Sequence, residues 1–335
     1  MYKAKELADY LSFDSVPSSW EHCLEDAWNL YSPNWLERMN FKEIMEFYDL
    51  EEPLQARILA ELHLLNSDER LNFLCWLWHY ILFYASSEDC GDIWTWDSHS
   101  RAFSSHGSPM MAVIVILSGS RLHRNNMEKF HFEPEQIDMQ KYGIRYYCGW
   151  DMKKHGTDGM RFRQMIFASG LITGLMTWHG RLQFEWIPED FAPLDPFFPD
   201  RPPAVFIHIP ENGPLDEPSV SAALKSALAH IPGYYDFPAG HPPVFFTQSW
   251  LLSPQLKEFL PADSRILRFQ KYFEILDTQP CPGDFLYFIF DLTHTPECLE
   301  NLPGQTLLQR EIKKRMIAGA SLDRGLGVLK SLHML

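Results

Sequence analysis

The sequence predicts an α+β protein, in which an all-helical N-terminal domain precedes a C-terminal domain of alternating strands and helices. Two features lead to this prediction. Before residue 155, apolar residues recur with the helical period of about 3.6, whereas after it glycines and prolines separate short runs with strand character. The length of 335 residues is more than one hydrophobic core usually serves, so we expect two domains, 1–155 and 156–335.

The first domain carries helical signals throughout. Capping-box spacing predicts a helix over 23–30, and Pro53 suits the first turn of another. The most apolar run, 71–85, is shorter than the roughly 20 residues of a bilayer span, so we predict a buried helix. The segment 86–109 is rich in Ser, Asp, Gly and His and predicts a long loop, a candidate cover for a cleft. Further helices are expected at 41–48 and 133–154. The run 110–117 is consistent with a buried helix or a strand, and its helical neighbours favour a helix.

Metal chemistry receives little support from the sequence. Cys75 and His79 are four residues apart on the predicted buried helix and could share a metal ion, but their apolar neighbours favour core packing. The six cysteines are scattered without a CxxC pair. We therefore expect neither a disulfide framework nor a structural zinc site, and no metal at all.

The second domain combines strand and helix signals. The stretch 181–187 alternates polar and apolar residues, and prolines precede the apolar runs 204–209 and 244–246, so all three are predicted strands. The remaining predictions are strands at 268–276 and 284–291, helices at 219–231, 254–260 and 305–318, and a terminal turn at 325–327.

The chain is acidic, because 44 Asp and Glu residues against 29 Lys and Arg give a net charge of −15. Such a charge repels phosphate backbones and anionic lipid, so we expect neither nucleic acid nor a membrane surface as a partner. The N-terminal residues lack the apolar run of a signal peptide, which predicts a cytoplasmic protein. The same acidity suits a cationic amine as a ligand.

Four segments of the second domain combine polar residues with strand ends. The first segment, 180–185, alternates polar and apolar residues, which places Arg181, Gln183 and Glu185 on one face of a strand. This face either lines a cleft or is exposed to solvent. The second, 207–216, runs from a strand through a Pro-Gly turn into a helix. This order suits an anion at the helix N-terminus, although a plain β–α connection has the same spacing.

The third segment, 246–254, again joins a strand to a helix. Ser249 lies at the junction, either as a proton donor or as a satisfied turn serine. The fourth segment, 264–270, carries Arg265 and Arg268, the nearest basic cluster in this half of the chain. These two arginines either face a phosphate or pair with carboxylates.

These segments, in this order, resemble a bacterial acyltransferase-like family whose members join a helical N-acyltransferase N-terminal domain to a GNAT-like C-terminal domain. The likeness covers most of 156–320. The residues that carry it are GRLQFE at 180–185, HIP at 208–210 with GPL at 213–215, SWLL-x-P at 249–254, S-x-I-L-x-F-Q at 264–270 and LP-x-x-T-x-L-Q-R at 302–310.

The resemblance implies a mixed-sheet α/β domain in which two neighbouring strands splay apart and the pantetheine arm of acyl-CoA lies in the gap. Free N–H groups on the splayed strand would bind the pantetheine amides, and the loop and helix N-terminus would hold the pyrophosphate. The usual phosphate loop, [QR]xxGx[GA], is replaced here by 210–214, with one glycine, two prolines and an acidic residue. The candidate cofactor-binding residues are Ile209, Asn212, Gly213, Arg265 and Arg268.

The implied activity is direct transfer of an acyl group from acyl-CoA or acetyl-CoA to a small-molecule amine, without a metal. Glu185 is the first candidate for the base and His208 the second, because imidazole exchanges protons near neutral pH. Ser249 is the candidate acid or oxyanion donor. The alternative is a non-catalytic ligand-binding or protein-interaction module that keeps the GNAT scaffold.

Overall fold

The computed structural model describes residues 4–11, 18–85, 109–157, 159–187, 193–235, 237, 242–292 and 294–330. The chain divides into two compact units, Met1–Trp178 and His179–Leu335. The domain limit after residue 155 stays a prediction. The predicted loop at 86–109 lies outside the described residues, except for Pro109, which begins a helix.

The first unit is helical, as predicted. Pro53 lies in the first turn of its helix, and Glu133 and Gln136 form a capping box that encloses Pro134, so local signals explain where these two helices begin. The helices are α1 (Ala4–Leu11), α2 (Glu21–Leu30), α3 (Phe41–Phe47), α4 (Glu52–Ser67), α5 (Glu69–Phe83), α6 (Pro109–Ser118), α7 (Ser120–Lys129), α8 (Pro134–His155) and α9 (Phe162–Thr173).

Helices α5 and α6 lie in the core of this unit, which confirms that the most apolar run forms a buried helix. Cys75 is fully buried and has a free thiol. The Nδ1 atom of His79 lies 2.6 Å from the hydroxyl oxygen of Ser118, and burial lowers the pKa of His79 to about 4. Both residues are therefore core residues, as the sequence favoured. Cys23 is disulfide-bonded, a bond for which the scattered cysteine spacing carries no signal.

The second unit is organised around a mixed sheet, and the predicted fold class is confirmed. The strand order is β1-β2-β3-β4-β6-β5. Strands β3 and β4 are parallel, whereas the pairs β2–β3, β4–β6 and β5–β6 are antiparallel. The division between the two units falls within β1. The strands are β1 (Met176–His179), β2 (Leu182–Ile187), β3 (Ala204–His208), β4 (Val244–Ser249), β5 (Phe273–Pro280) and β6 (Asp323–Leu329).

The four α-helices described in the second unit connect or cover these strands. The longest presents an apolar stripe to the sheet, formed by Val220, Ala223, Leu224, Ala227 and Ile231. The helices are α10 (Glu217–Tyr234), α11 (Arg265–Gln270), α12 (Pro282–Phe290) and α13 (Leu307–Ile317). The first and last confirm the helices predicted at 219–231 and 305–318, and a 3₁₀ helix, Pro254–Glu258, lies where a helix was predicted at 254–260.

Two of the predicted strands are wrong over most of their length. The segment predicted at 268–276 begins as α11, because the Ser264 hydroxyl oxygen accepts a hydrogen bond from Leu267 N–H and caps a helix; β5 starts only at Phe273. The segment predicted at 284–291 is α12, which Pro282 begins. Both runs are apolar and short, so periodicity alone did not separate helix from strand.

The predicted terminal turn at 325–327 is also wrong, because these residues lie inside β6. A Cβ atom at Gly325 would come within 2.7 Å of the Leu252 carbonyl oxygen, and one at Gly327 within 2.6 Å of Leu252 Cδ1. The glycines therefore permit the close approach of the Trp250–Leu252 turn to the sheet.

Among the described residues, no helix combines the length and the apolar character that crossing a membrane requires.

Candidate functional site

The C-terminal end of β3 and the facing part of β2 carry the polar residues of the candidate site. In the antiparallel β2–β3 pair, Gln183 is in register with His208, and Glu185 is in register with Phe206. Residues in register point to the same face of a sheet, as do residues two apart along one strand. Gln183, Glu185 and His208 therefore share one face, which we call the site face.

Glu185 and His208 form a hydrogen-bonded pair on the site face. Oε2 of Glu185 lies 2.7 Å from Nε2 of His208, and the two side chains keep 34% and 18% of their surface exposed. An ionised carboxylate can only accept a hydrogen bond, so the shared hydrogen belongs to Nε2. Nδ1 is then the ring nitrogen with acceptor character. Such a pair can take up a proton and stabilise the resulting imidazolium.

Apolar side chains surround the pair on the same face. The Phe206 ring centroid lies 4.6 Å from that of His208 and 4.9 Å from that of Phe246. Phe246 in turn belongs to a buried cluster with Leu194, Ala204 and Leu326. Because this packing holds Phe206 in place, the imidazole is positioned by a carboxylate and by an aromatic ring.

Strands β3 and β4 part before either of them ends. Their last partners in register are Phe206 and Phe246, although β3 continues to His208 and β4 to Ser249. The outer neighbours, β2 and β6, stay paired to these strand ends. The two C-terminal ends therefore splay, as the resemblance to a GNAT-like domain implies.

A backbone donor of β4 points into this gap. The Val244 N–H donates to the Pro203 carbonyl at 2.8 Å, which shows that it points toward β3. Backbone groups alternate in direction along a strand, so the N–H groups of Phe246 and Gln248 point the same way. Gln248 lies beyond the last β3–β4 pair. The Gln248 N–H therefore faces the gap, at the level of Glu185 and His208.

Ser249 lies on the opposite face from the paired carboxylate and imidazole. Phe246 is in register with Phe206 and lies on the site face, so alternation along β4 places Ser249 on the other face. The Ser249 hydroxyl oxygen accepts a hydrogen bond from Leu251 N–H at 3.2 Å and caps the turn Trp250–Leu252. Its geometry is that of a satisfied turn serine, and the structure does not bring it to the other two predicted catalytic residues.

The turn at 210–214, between β3 and α10, is built around Arg181. The guanidinium group donates to the carbonyls of Pro210 and Pro214 at 2.6 and 3.0 Å. It also donates to Oδ1 of Asn212 at 2.7 Å. Arg181 keeps only 8% of its surface exposed. The two prolines, which reduce the number of N–H donors in this turn, thus supply acceptors to a buried cation.

Charged residues crowd the N-terminus of α10. Oδ1 of Asp216 accepts hydrogen bonds from the N–H and hydroxyl of Ser219 at 3.0 and 2.8 Å. These bonds, and more weakly the charge of Arg265, hold the pKa of Asp216 below its ordinary value. Nη1 of Arg268 lies 3.9 Å from Oε2 of Glu217. Both predicted arginines therefore lie beside this helix N-terminus, where each already faces a carboxylate.

The other predicted cofactor-binding residues lie in or beside the same turn. Nδ2 of Asn212 donates to the Gly180 carbonyl at 3.4 Å, so this side chain links two turns. Gly213 is exposed, and a Cβ atom there would have no heavy atom within 4 Å. Ile209 is half-buried.

Across the described ranges, no group of three or more His, Cys, Asp or Glu side chains is placed to hold a metal ion.

The positions of the Gln248 N–H and of the Arg181 guanidinium were not predicted from the sequence. Gln248 contributes a backbone N–H in the plane of the sheet, and its direction depends on the β3–β4 pairing, for which side-chain alternation carries no signal. The role of Arg181 had a weak signal, the two prolines of the turn, which leave carbonyls that need donors. Its partners lie about thirty residues away along the chain, so only the fold identifies them.

Comparison with known proteins confirms the expected architecture. Residues 176–329 match the family model described as a GNAT-like C-terminal domain. This range begins with the first residue of β1 and ends with the last residue of β6, so it spans the whole described sheet. The expected likeness to a GNAT-like C-terminal domain is therefore confirmed, and the helical first unit is consistent with the helical domain expected before it. No functionally curated protein matches the sequence.

Several solved structures of acyltransferases share this fold. A crystal structure of an acyltransferase in complex with decanoyl-CoA is 19% identical, with a TM-score of 0.69, and the match covers 98% of this chain and 99% of that one. An acyltransferase in complex with decanoyl-CoA and teicoplanin is 20% identical, with a TM-score of 0.68 and the same coverage. An acyltransferase mutant in complex with octanoyl-CoA has a TM-score of 0.68 at 19% identity over the same shares of both chains.

Proposed function

We propose that this protein is an acyl-CoA-dependent N-acyltransferase that moves an acyl group from a CoA thioester to a small-molecule amine. The observation that carries the proposal is the hydrogen-bonded Glu185–His208 pair at the edge of the gap between β3 and β4. A proton acceptor beside a gap with a backbone donor is the arrangement that acyl transfer needs. The acyl-CoA complexes of structures with the same fold support it.

In this proposal the gap receives the pantetheine arm of acyl-CoA. The Gln248 N–H would donate to the thioester carbonyl or to a pantetheine amide, because it faces the gap beyond the last strand pair. The pyrophosphate would lie near the 210–214 turn and the α10 N-terminus. Arg265 and Arg268 supply the positive charge there, although they share it with Asp216 and Glu217.

The chemistry is direct transfer within a ternary complex. The amine nitrogen attacks the thioester carbonyl carbon, a C–N bond forms, and the C–S bond breaks. Nδ1 of His208 takes the amine proton, while Glu185 holds the imidazole through Nε2 and stabilises its positive charge. The leaving thiolate is protonated as CoA departs. Holding both substrates together supplies much of the rate, since the reaction becomes effectively unimolecular.

The acceptor in this proposal is a small molecule with a primary amine. Glu185 on the site face favours a cationic ligand, in keeping with the net charge of −15. A complex of an acyltransferase with this fold that contains teicoplanin beside decanoyl-CoA supports a small-molecule acceptor.

The test is acyl transfer followed by mass spectrometry. The protein is incubated with acetyl-, octanoyl- or decanoyl-CoA and a panel of primary amines. We expect one amine to gain the mass of the acyl group in a linkage that resists hydroxylamine, as an amide does. A hydroxylamine-labile product would indicate an ester and contradict N-acylation. Binding of acyl-CoA without transfer to any amine would favour the alternative, a non-catalytic module on this scaffold.

A further inference from the structure

Arg181 is a buried cation that donates hydrogen bonds to one turn. Three of its hydrogen bonds reach the 210–214 turn, two to backbone carbonyls and one to the Asn212 side chain. Hydrogen bonds to charged groups are the stronger ones, and a guanidinium fork fixes their direction as well as their length. The conformation of this turn is thus fixed by a buried residue from another part of the chain.

The direction of these bonds determines where the turn presents its N–H groups. In a trans peptide unit the carbonyl and the following N–H point in opposite directions. The Pro210 and Pro214 carbonyls point toward Arg181. The N–H groups of Glu211 and Leu215 therefore point away from the guanidinium, toward the outer side of the turn, next to the N-terminus of α10. Two donors that face outward beside a buried cation form a cradle for an anion.

We propose that Arg181 is a positioning residue for acyl-CoA: its guanidinium holds the 210–214 turn so that the Glu211 and Leu215 N–H groups face the pyrophosphate. The proposal rests on the proposed function, since it takes acyl-CoA as the ligand. The role also explains how a turn with one glycine and two prolines serves as a phosphate loop. Its donors are set by an arginine from outside the turn, not by glycines within it.

The experiment separates the two halves of the ligand. CoA carries the pyrophosphate, whereas an acyl-pantetheine carries the thioester arm without it. Dissociation constants of both are measured by calorimetry for the wild type, Arg181→Gln and Arg181→Lys, together with KM and kcat for decanoyl-CoA. Arg310→Gln is the matched control, because Arg310 also donates to two backbone carbonyls of a loop, those of Gly304 and Gln305.

We expect Arg181→Gln to weaken CoA binding by about tenfold or more, the lower range for a lost hydrogen bond to a charged group, and to leave acyl-pantetheine binding within about twofold. KM for decanoyl-CoA rises while kcat stays close to the wild-type value. Arg181→Lys keeps the charge without the fork and has an intermediate effect. Arg310→Gln binds both ligands as the wild type does.

Three results would overturn the proposal. Unchanged CoA affinity in Arg181→Gln would show that the turn does not depend on this residue, and equal losses for CoA and acyl-pantetheine would show a general structural defect. If Arg181→Gln does not fold, Arg181→Lys carries the comparison, and wild-type CoA affinity in that variant would contradict a role for the fork. A wild-type protein that binds neither ligand would instead refute the proposed function.

Discussion

Replacing Glu185 with glutamine tests how the paired carboxylate and imidazole divide the work of proton transfer. The substitution keeps the size of the side chain and its ability to accept a hydrogen bond from Nε2 of His208, but it removes the negative charge. If His208 is the base, the imidazolium formed during transfer loses its charged partner. The activation free energy then rises by the free energy of that interaction. If Glu185 is itself the base, the reaction loses its proton acceptor.

The geometry sets the size of the two effects. The pair is short, at 2.7 Å, and only partly exposed. Exchanging a charged for a neutral hydrogen bond costs about 1–1.5 kcal/mol, so Glu185→Gln should lower kcat/KM about tenfold. His208→Gln places an amide near the former Nε2 and removes Nδ1. Losing a general base lowers the rate by about 10²–10⁴, so this variant should fall much further.

The assay follows release of the CoA thiol from decanoyl-CoA with a thiol-reactive dye, against a baseline without acceptor, because Cys298 is an exposed free thiol. His230→Gln is the control; this histidine is exposed, its Nδ1 lies 2.7 Å from the Ser226 carbonyl oxygen of its own helix, and kcat/KM should not change. A loss in Glu185→Gln as large as that in His208→Gln would refute the assignment of the base to His208. Retention of more than about a tenth of kcat/KM by His208→Gln would do the same.

Three further predictions concern stability and charge. Burial lowers the pKa of His179 to about 3. Between about pH 6.5 and pH 5 the unfolded state therefore binds a proton that the folded state does not, so lowering the pH reduces the free energy of unfolding by about 2 kcal/mol for this residue. Chemical unfolding at both pH values should show a smaller reduction in His179→Gln. Gly325→Ala should destabilise the protein by about 1–3 kcal/mol through contact with Leu252, whereas Gly283→Ala, with open space around its Cβ, should be neutral or stabilising in the same unfolding assay. Asp216→Asn keeps the helix cap but removes a negative charge, so at low salt it should tighten CoA binding by calorimetry about two- to threefold, an effect that about 0.5 M salt should largely remove.

Helices with distinct start signals could be predicted from the sequence. Pro53 and the capping residues near Pro134 are local features, and the helices that they begin lie where they were expected. The short apolar runs were harder. The residues of α12 are apolar enough for a buried strand, and only their packing in the fold decides for a helix. Gly325 and Gly327 were taken for a turn because the close approach of Leu252 has no local signal.

The candidate site was predictable where strand alternation applies. Alternation put Glu185 on a polar face, and the resemblance added His208, but their hydrogen bond depends on the β2–β3 register, which the sequence does not state. Ser249 was selected for its hydroxyl, although alternation along β4 places it on the other face. The link from Arg181 to the 210–214 turn required the tertiary structure, because it joins residues far apart in the chain.

The central claim is that this chain takes up acyl-CoA, and calorimetric titration of the protein with decanoyl-CoA tests it most directly. We predict saturable binding with about one molecule per chain, and an increase in the free energy of unfolding of about 2.7 kcal/mol when the free ligand is at about 100 times its Kd. Absence of both heat and stabilisation with decanoyl-, octanoyl- and acetyl-CoA would contradict the account.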